Sequence, residues 1–258
     1  MRSFPLALNT LREAIRDKIL YVILLFSFIL ISSGILLKSL SLNQENKIVL
    51  DLGLSSISIF GLIITIFVGT NLLNKEIDKK TIYLLLSKPL NRSDFILGKF
   101  MGLSIMLLMI VASMGMAFYL VLWYTSGGLS GILPIFESSA QAILLIYIEM
   151  VLLTALAIFF STFATPVMSA IFTLAAYTIG HMSNDIVSFG KLSQSPLVVQ
   201  LTQFIFYLLP DLERLNLKNH LMSHAVSAEI FGGSIAYGLM YTLGLLLLSM
   251  VIFDFKEF

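Results

Sequence analysis

The sequence of 258 residues contains no cysteine. That excludes disulfides, thiolate metal sites and a cysteine nucleophile, and leaves the redox compartment unreadable. Charge is nearly as scarce: 12% of residues are charged and 58% hydrophobic, with a mean hydropathy of +0.95. A soluble domain carries roughly 25% charged residues on its surface, so this composition describes an integral membrane protein. The net charge of +1 is spread over short scattered segments, with no basic stripe, and no nucleic-acid partner is expected. A nucleotide loop of the form G-x-x-x-x-G-K-[ST] is also missing; the one Gly-Lys pair, Gly98-Lys99, is followed by Phe100. Nor does the chain open like a cleavable signal, because MRSFPLALNTLREAIRDK is charged and amphipathic before any apolar run begins.

What is present is a series of apolar runs. A hydrocarbon core about 30 Å thick needs ~20 apolar residues in a helix. Six runs approach that length, at about 19–37, 52–73, 100–124, 140–163, 166–181 and 231–253. Each must be helical, since lipid offers the backbone no hydrogen-bond partner and no ten-residue alternation of a barrel occurs. Trp123 and Tyr124 suit an aromatic belt, and Pro166 suits a helix start after the tight turn STFATP. The expected fold is therefore all-α, a single transmembrane domain over 1–258 with six crossings.

Lys and Arg set the orientation. Four lie before the first span, six in the loop 74–99 and one at the C-terminus, against five on the opposite side. The positive-inside rule then places both termini in the cytoplasm of a multi-pass protein of the plasma (inner) membrane, with 182–230 facing outward. Before the first span, Leu8, Leu11, Ile15 and Ile19 recur at helical spacing among Arg12, Glu13 and Arg16, predicting an interfacial amphipathic helix capped by Asn9 or Thr10. In the loop 74–99, NKEIDKKTIYLLLSKPLNRSDFILGK, charges precede a ladder of Ile82, Leu84, Leu85 and Leu86, and Pro89 ends any helix. A short cytosolic helix is predicted there. Its leucines need a partner, either the bundle itself or another polypeptide, because so short a helix is marginal alone. Gly98 and Gly102 form a GxxxG close-packing pattern.

The order of NTLREAIRDKIL, of GTNLLNKEIDKKTIYLLLSKPLNRSDFILGKFMG after the second span, of STFATP and of YLLPDLERLN before the last span resembles the ABC-2 type permeases, and among them the NosY-like group. The resemblance implies an export permease subunit without enzymatic activity. It dimerises with a second copy or a paralogue and rides on cytosolic ABC ATPase subunits, which carry the ATP and magnesium. It also implies a coupling helix between the second and third spans, with Glu76, Lys80, Thr81, Leu85, Ser87, Pro89 and Arg92 in or beside the ATPase contact. An extracytoplasmic accessory protein is a further implied partner. The alternatives are an ion-coupled secondary transporter, which would show broken helices in related halves, or a NosY-like role in copper-site maturation.

Two features stand apart. Glu149 is an acid in mid-span, which costs on the order of 3 kcal/mol to insert, and it either lines a transport path or locks its helix to Ser104, Ser113 or Thr173. The expected outward loop carries all three histidines, His181 together with His220 and His224, and the latter two flank Met222. Imidazole and thioether suit copper, yet without cysteine or supporting acids ordinary interface histidines are the favoured reading and no metal is assigned. In the same loop LVVQLTQFIFYLLP is too short to span and reads as a re-entrant or outer-leaflet helix, with a second, more polar helix expected to end at Gly232-Gly233.

Overall fold

The computed structural model describes residues 3–40, 45–78, 92–192, 196–216 and 227–255. Its helices are α1 (Ser3–Ile15), α2 (Lys18–Leu40), α3 (Glu45–Asp78), α4 (Arg92–Thr125), α5 (Leu129–Ser161), α6 (Pro166–His181), α7 (Ser183–Leu192), α8 (Pro196–Leu208) and α9 (Ala228–Phe255), with a 3-10 turn at Leu212–Arg214. Among the described residues five helices are long and apolar enough to cross a membrane: α2, α3, α4, α5 and α9. The expected fifth span, α6, has 16 residues. At 1.5 Å per residue that is roughly 24 Å, short of a ~30 Å core.

Local chemistry explains the boundaries. The Asp17 carboxylate accepts the N–H of Ile19 at 3.1 Å and caps α2. Gly127 and Gly128 turn the chain between α4 and α5 with φ of 76° and 109°, values that a side chain would strain. Helix α5 therefore starts at Leu129, well before the expected 140, and carries Pro134 inside it, where the missing N–H forfeits the bond to the Ser130 carbonyl. Pro166 occupies the first position of α6 as expected. The charged island is narrower than the loop 74–99, because α3 continues to Asp78 and α4 begins at Arg92. No second helix ends at Gly232-Gly233; both glycines lie inside α9.

Cross-helix contacts fix the directions. Gly61 and Gly69 of α3 face Met150 and Ala157 of α5, so these two helices run the same way, and α9 runs with them, its Gly238 facing Ile148 and its Phe253 reaching Phe95 at the start of α4. Helix α4 runs opposite to α5, with the Tyr147 hydroxyl donating to the Ser104 carbonyl at 3.3 Å and Tyr119 within 3.1 Å of Ser139 Oγ. Helix α2 folds back on α3, its Gly34 beside Val49, and α6 folds back on α5, its last residue His181 reaching Glu149, so both share the direction of α4. Helix α5 is the axis of the bundle, with 72% of its span buried against 22% for α2.

The start of α4 and the end of α9 meet where Phe95 and Phe253 stack at 5.8 Å. Helix α1 lies at the same end. Ala7, Thr10 and Ala14 are buried, while Leu8 and Phe4 stay exposed. Small side chains let α1 approach α4 so closely that a Cβ on Gly102 would sit 2.6 Å from the Ala7 carbonyl. Thr10 does not cap this helix; inside it, its hydroxyl donates to the Leu6 carbonyl at 2.9 Å.

Candidate functional site

In the middle of the bundle, Glu149 is 0% exposed. Its Oε1 lies 2.7 Å from Nε2 of His181, the last residue of α6. Its Oε2 has no hydrogen-bond partner among the described residues. The His181 ring meets Tyr177 edge-on at 4.5 Å, and the Tyr177 hydroxyl is hydrogen-bonded to Ser58 of α3. A polar chain thus links α5, α6 and α3. The partners expected from sequence are not used: the Ser113 and Thr173 hydroxyls donate to the carbonyls of Ile110 and Ser169, and Ser104 Oγ is not bonded to the acid. His181 could have been found by folding the sequence about STFATP. Reflecting Glu149 through that turn lands near Thr178, and His181 is one helical turn further on.

Farther from that turn a second polar cluster ties the 3-10 turn to α7 and α9. Buried Asp211 accepts from the Ser183 hydroxyl at 2.8 Å and from Arg214 Nε at 3.0 Å, while its own N–H donates to the Tyr237 hydroxyl at 2.8 Å. The Arg214 guanidinium lies over the Tyr237 ring at 5.1 Å, and Ser234 donates to the Arg214 carbonyl at 2.9 Å. Gly180 completes the contact, since a Cβ there would press on the Pro210 carbonyl at 2.7 Å. Of this cluster the sequence shows only the string PDLER.

At the end shared by α1, α4 and α9, Lys99 is buried, with its ammonium 3.8 Å from Glu13 and 5.9 Å from the Phe95 ring centroid. Arg12 and Arg16 stay exposed on α1. Glu76 lies in the last turn of α3 and Arg92 opens α4, so these two bracket the island. Lys80, Thr81, Leu85, Ser87 and Pro89 lie outside the described residues, as do His220, Met222 and His224. Among the described residues no three His, Asp or Glu side chains converge to hold a metal ion.

Two helices leave their apolar spans to bracket a charged segment. The profile of the ABC-2 family transporter proteins matches residues 4–258. The chain belongs to that family. It is accordingly a multi-pass membrane protein and the permease subunit of an ABC transporter, a kind of subunit that generally works with cytosolic ATPase subunits and is often dimeric. No curated protein matches the sequence of this ABC-2 permease.

Proposed function

We propose that this permease is the membrane half of an exporter, that separate cytosolic subunits bind the ATP and magnesium, and that force enters through residues 74–99. The observation that carries this reading is the pair of helical stems. Helix α3 extends beyond its apolar span to Asp78, and α4 starts at Arg92, eight residues before its expected apolar run. The α4 stem is in turn clamped to α1 by the close approach at Gly102 and by Lys99 facing Glu13. A push on the island therefore moves α1 and α4 together as a rigid body, the kind of motion that alternates access between two permease halves.

In this reading both termini and the island face the cytoplasm, as the Lys and Arg count favours, and the protein sits in the plasma membrane. Helix α6, running opposite to α5, carries the chain outward for a sixth crossing that is completed by the short helices after it. The second half is a copy or paralogue of this chain, and the segment 182–230 is open to an accessory protein. Leu85 and its neighbours supply the apolar grip on the ATPase, while Glu76, Lys80 and Arg92 set its register.

The test uses the absence of cysteine. A Lys79→Cys variant should be labelled by a membrane-impermeant thiol reagent only from the cytoplasmic side. Leu85→Asp, or charge reversal at Glu76 together with Arg92, should leave insertion intact while copurification of the ATPase falls on the order of tenfold, the effect of losing ~1.4 kcal/mol of contact. Labelling of position 79 from outside, or undiminished ATPase binding and turnover in those variants, would reject the proposal.

A further inference from the structure

Between α5, the end of α8 and α9 runs a groove of about 630 Å³, within the range that holds small ligands. Leu156, Phe159 and Phe160 form one wall, Leu208 and Leu209 the top, and Tyr237, Tyr241, Leu245 and Leu248 the other wall. The polar atoms of its tyrosines are already engaged. Tyr241 donates to the Leu208 carbonyl at 2.8 Å, and Tyr237 accepts from the Asp211 N–H. The lining therefore asks its occupant mainly for apolar surface.

Dimensions narrow the occupant further. From Tyr237 to Leu248 the groove follows α9 for roughly 16 Å, about half of a ~30 Å hydrocarbon core and so the depth of one leaflet. The groove is open along one flank, so an acyl chain can enter it sideways from the bilayer and lie along its length.

Charge stands near the end where α9 begins: Arg214, with Asp211 as its partner and Glu213 next to it in the chain. Arg214 stacks on Tyr237, at the end where α9 begins, and its side chain is 57% exposed. Asp211 occupies its Nε–H, which leaves the Nη–H donors of the same fork directed to other acceptors, the geometry that suits a phosphate. We infer that this groove is a binding site for one anionic phospholipid, with an acyl chain along α5 and α9 and the headgroup phosphate at Arg214. The site is independent of how the ATPase couples to the chain.

Native mass spectrometry of the purified full chain, with phosphatidylglycerol and phosphatidylcholine supplied in equal amounts, tests the assignment. One phosphatidylglycerol should stay bound per chain in preference to phosphatidylcholine. Gly244 lines the groove and a Cβ on it would meet nothing within 4 Å, so Gly244→Phe has room for its first carbon, occupies the groove with its ring and should lower retention on the order of tenfold. Arg214→Gln should cost about fivefold for phosphatidylglycerol and leave phosphatidylcholine unchanged, the effect of one surface cation. Equal retention of the two lipids by the unaltered chain would overturn the inference, as would undiminished retention in Gly244→Phe. A Gly244→Phe chain that loses its dimer and keeps its lipid would assign the groove to the second copy instead.

Discussion

Two carboxylates in this chain are buried to nearly the same degree and are answered in opposite ways. Asp211 has a hydroxyl on one oxygen, a guanidinium on the other and its own N–H placed on a tyrosine hydroxyl. Glu149 has one imidazole on one oxygen and, among the described residues, nothing on the other. The first arrangement satisfies a buried anion, as a joint that has only to hold requires. The second leaves a buried carboxyl group half-answered in the interior of a helical bundle, where the cost of such a group is high and is tolerated mostly at positions that do more than pack. The satisfied acid fastens one end of the bundle, and the half-satisfied acid sits where α5, α6 and α3 share a polar chain.

The sharpest way to break this comparison is to remove the one hydrogen-bond partner Glu149 has among the described residues. His181→Leu leaves the carboxylate with no described hydrogen bond, and the expected loss is about 3 kcal/mol, the cost of stranding one member of a buried pair. Adding Glu149→Leu in the same chain should recover most of that loss, because replacing both members by apolar side chains removes the unpaired group. Thermal unfolding of the four chains of the cycle in detergent measures it. If the double variant is as unstable as His181→Leu alone, the two side chains are not energetically coupled and the contrast with Asp211 fails.

How far the sequence reveals these features depends on the range of the interactions involved. The apolar runs that became α2, α3, α4, α5 and α9 follow from composition over ~20 residues, and Pro166 marks the start of α6 by its missing N–H. Boundaries were harder to read where a helix outruns its apolar stretch. Helix α3 continues through Asn74 and Lys75 to Asp78, and α5 starts before Pro134, because helical hydrogen bonding does not stop where lipid does. Periodicity shows the amphipathic character of α1 but not how it packs: the small side chains Ala7 and Ala14 are buried, while Leu8 stays exposed and Leu11 is partly buried against the core. Glu149 stood out by its chemistry alone. Its partner did not, since His181 is 32 positions away and was placed in the outward loop.

A smaller effect is expected at the satisfied acid. Asp211→Ala removes the acceptor of Ser183 and Arg214, but the Arg214 side chain is 57% exposed and can turn to water. The expected loss is about 1 to 2 kcal/mol, mostly from hydrogen bonds to a buried charge that are no longer made. It should appear as earlier thermal unfolding together with faster proteolysis of the 209–216 stretch. A loss larger than that of His181→Leu would reverse the ranking of the two acids.

The smallest test separates the two ends of the Glu149 chain. Tyr177→Phe keeps the ring that meets His181 edge-on and deletes only the hydroxyl bonded to Ser58. If the polar chain is a set of local contacts, the loss is that of one neutral hydrogen bond, about 1 kcal/mol, and it adds to the effect of His181→Leu in the double variant. If the chain acts as one network, the two losses overlap, because His181→Leu has already freed Tyr177 from its ordered place between histidine and serine. Thermal unfolding of the single and double variants distinguishes these cases. Overlap is the expected result, since Tyr177 touches both the histidine and Ser58 and has no second position that keeps both contacts.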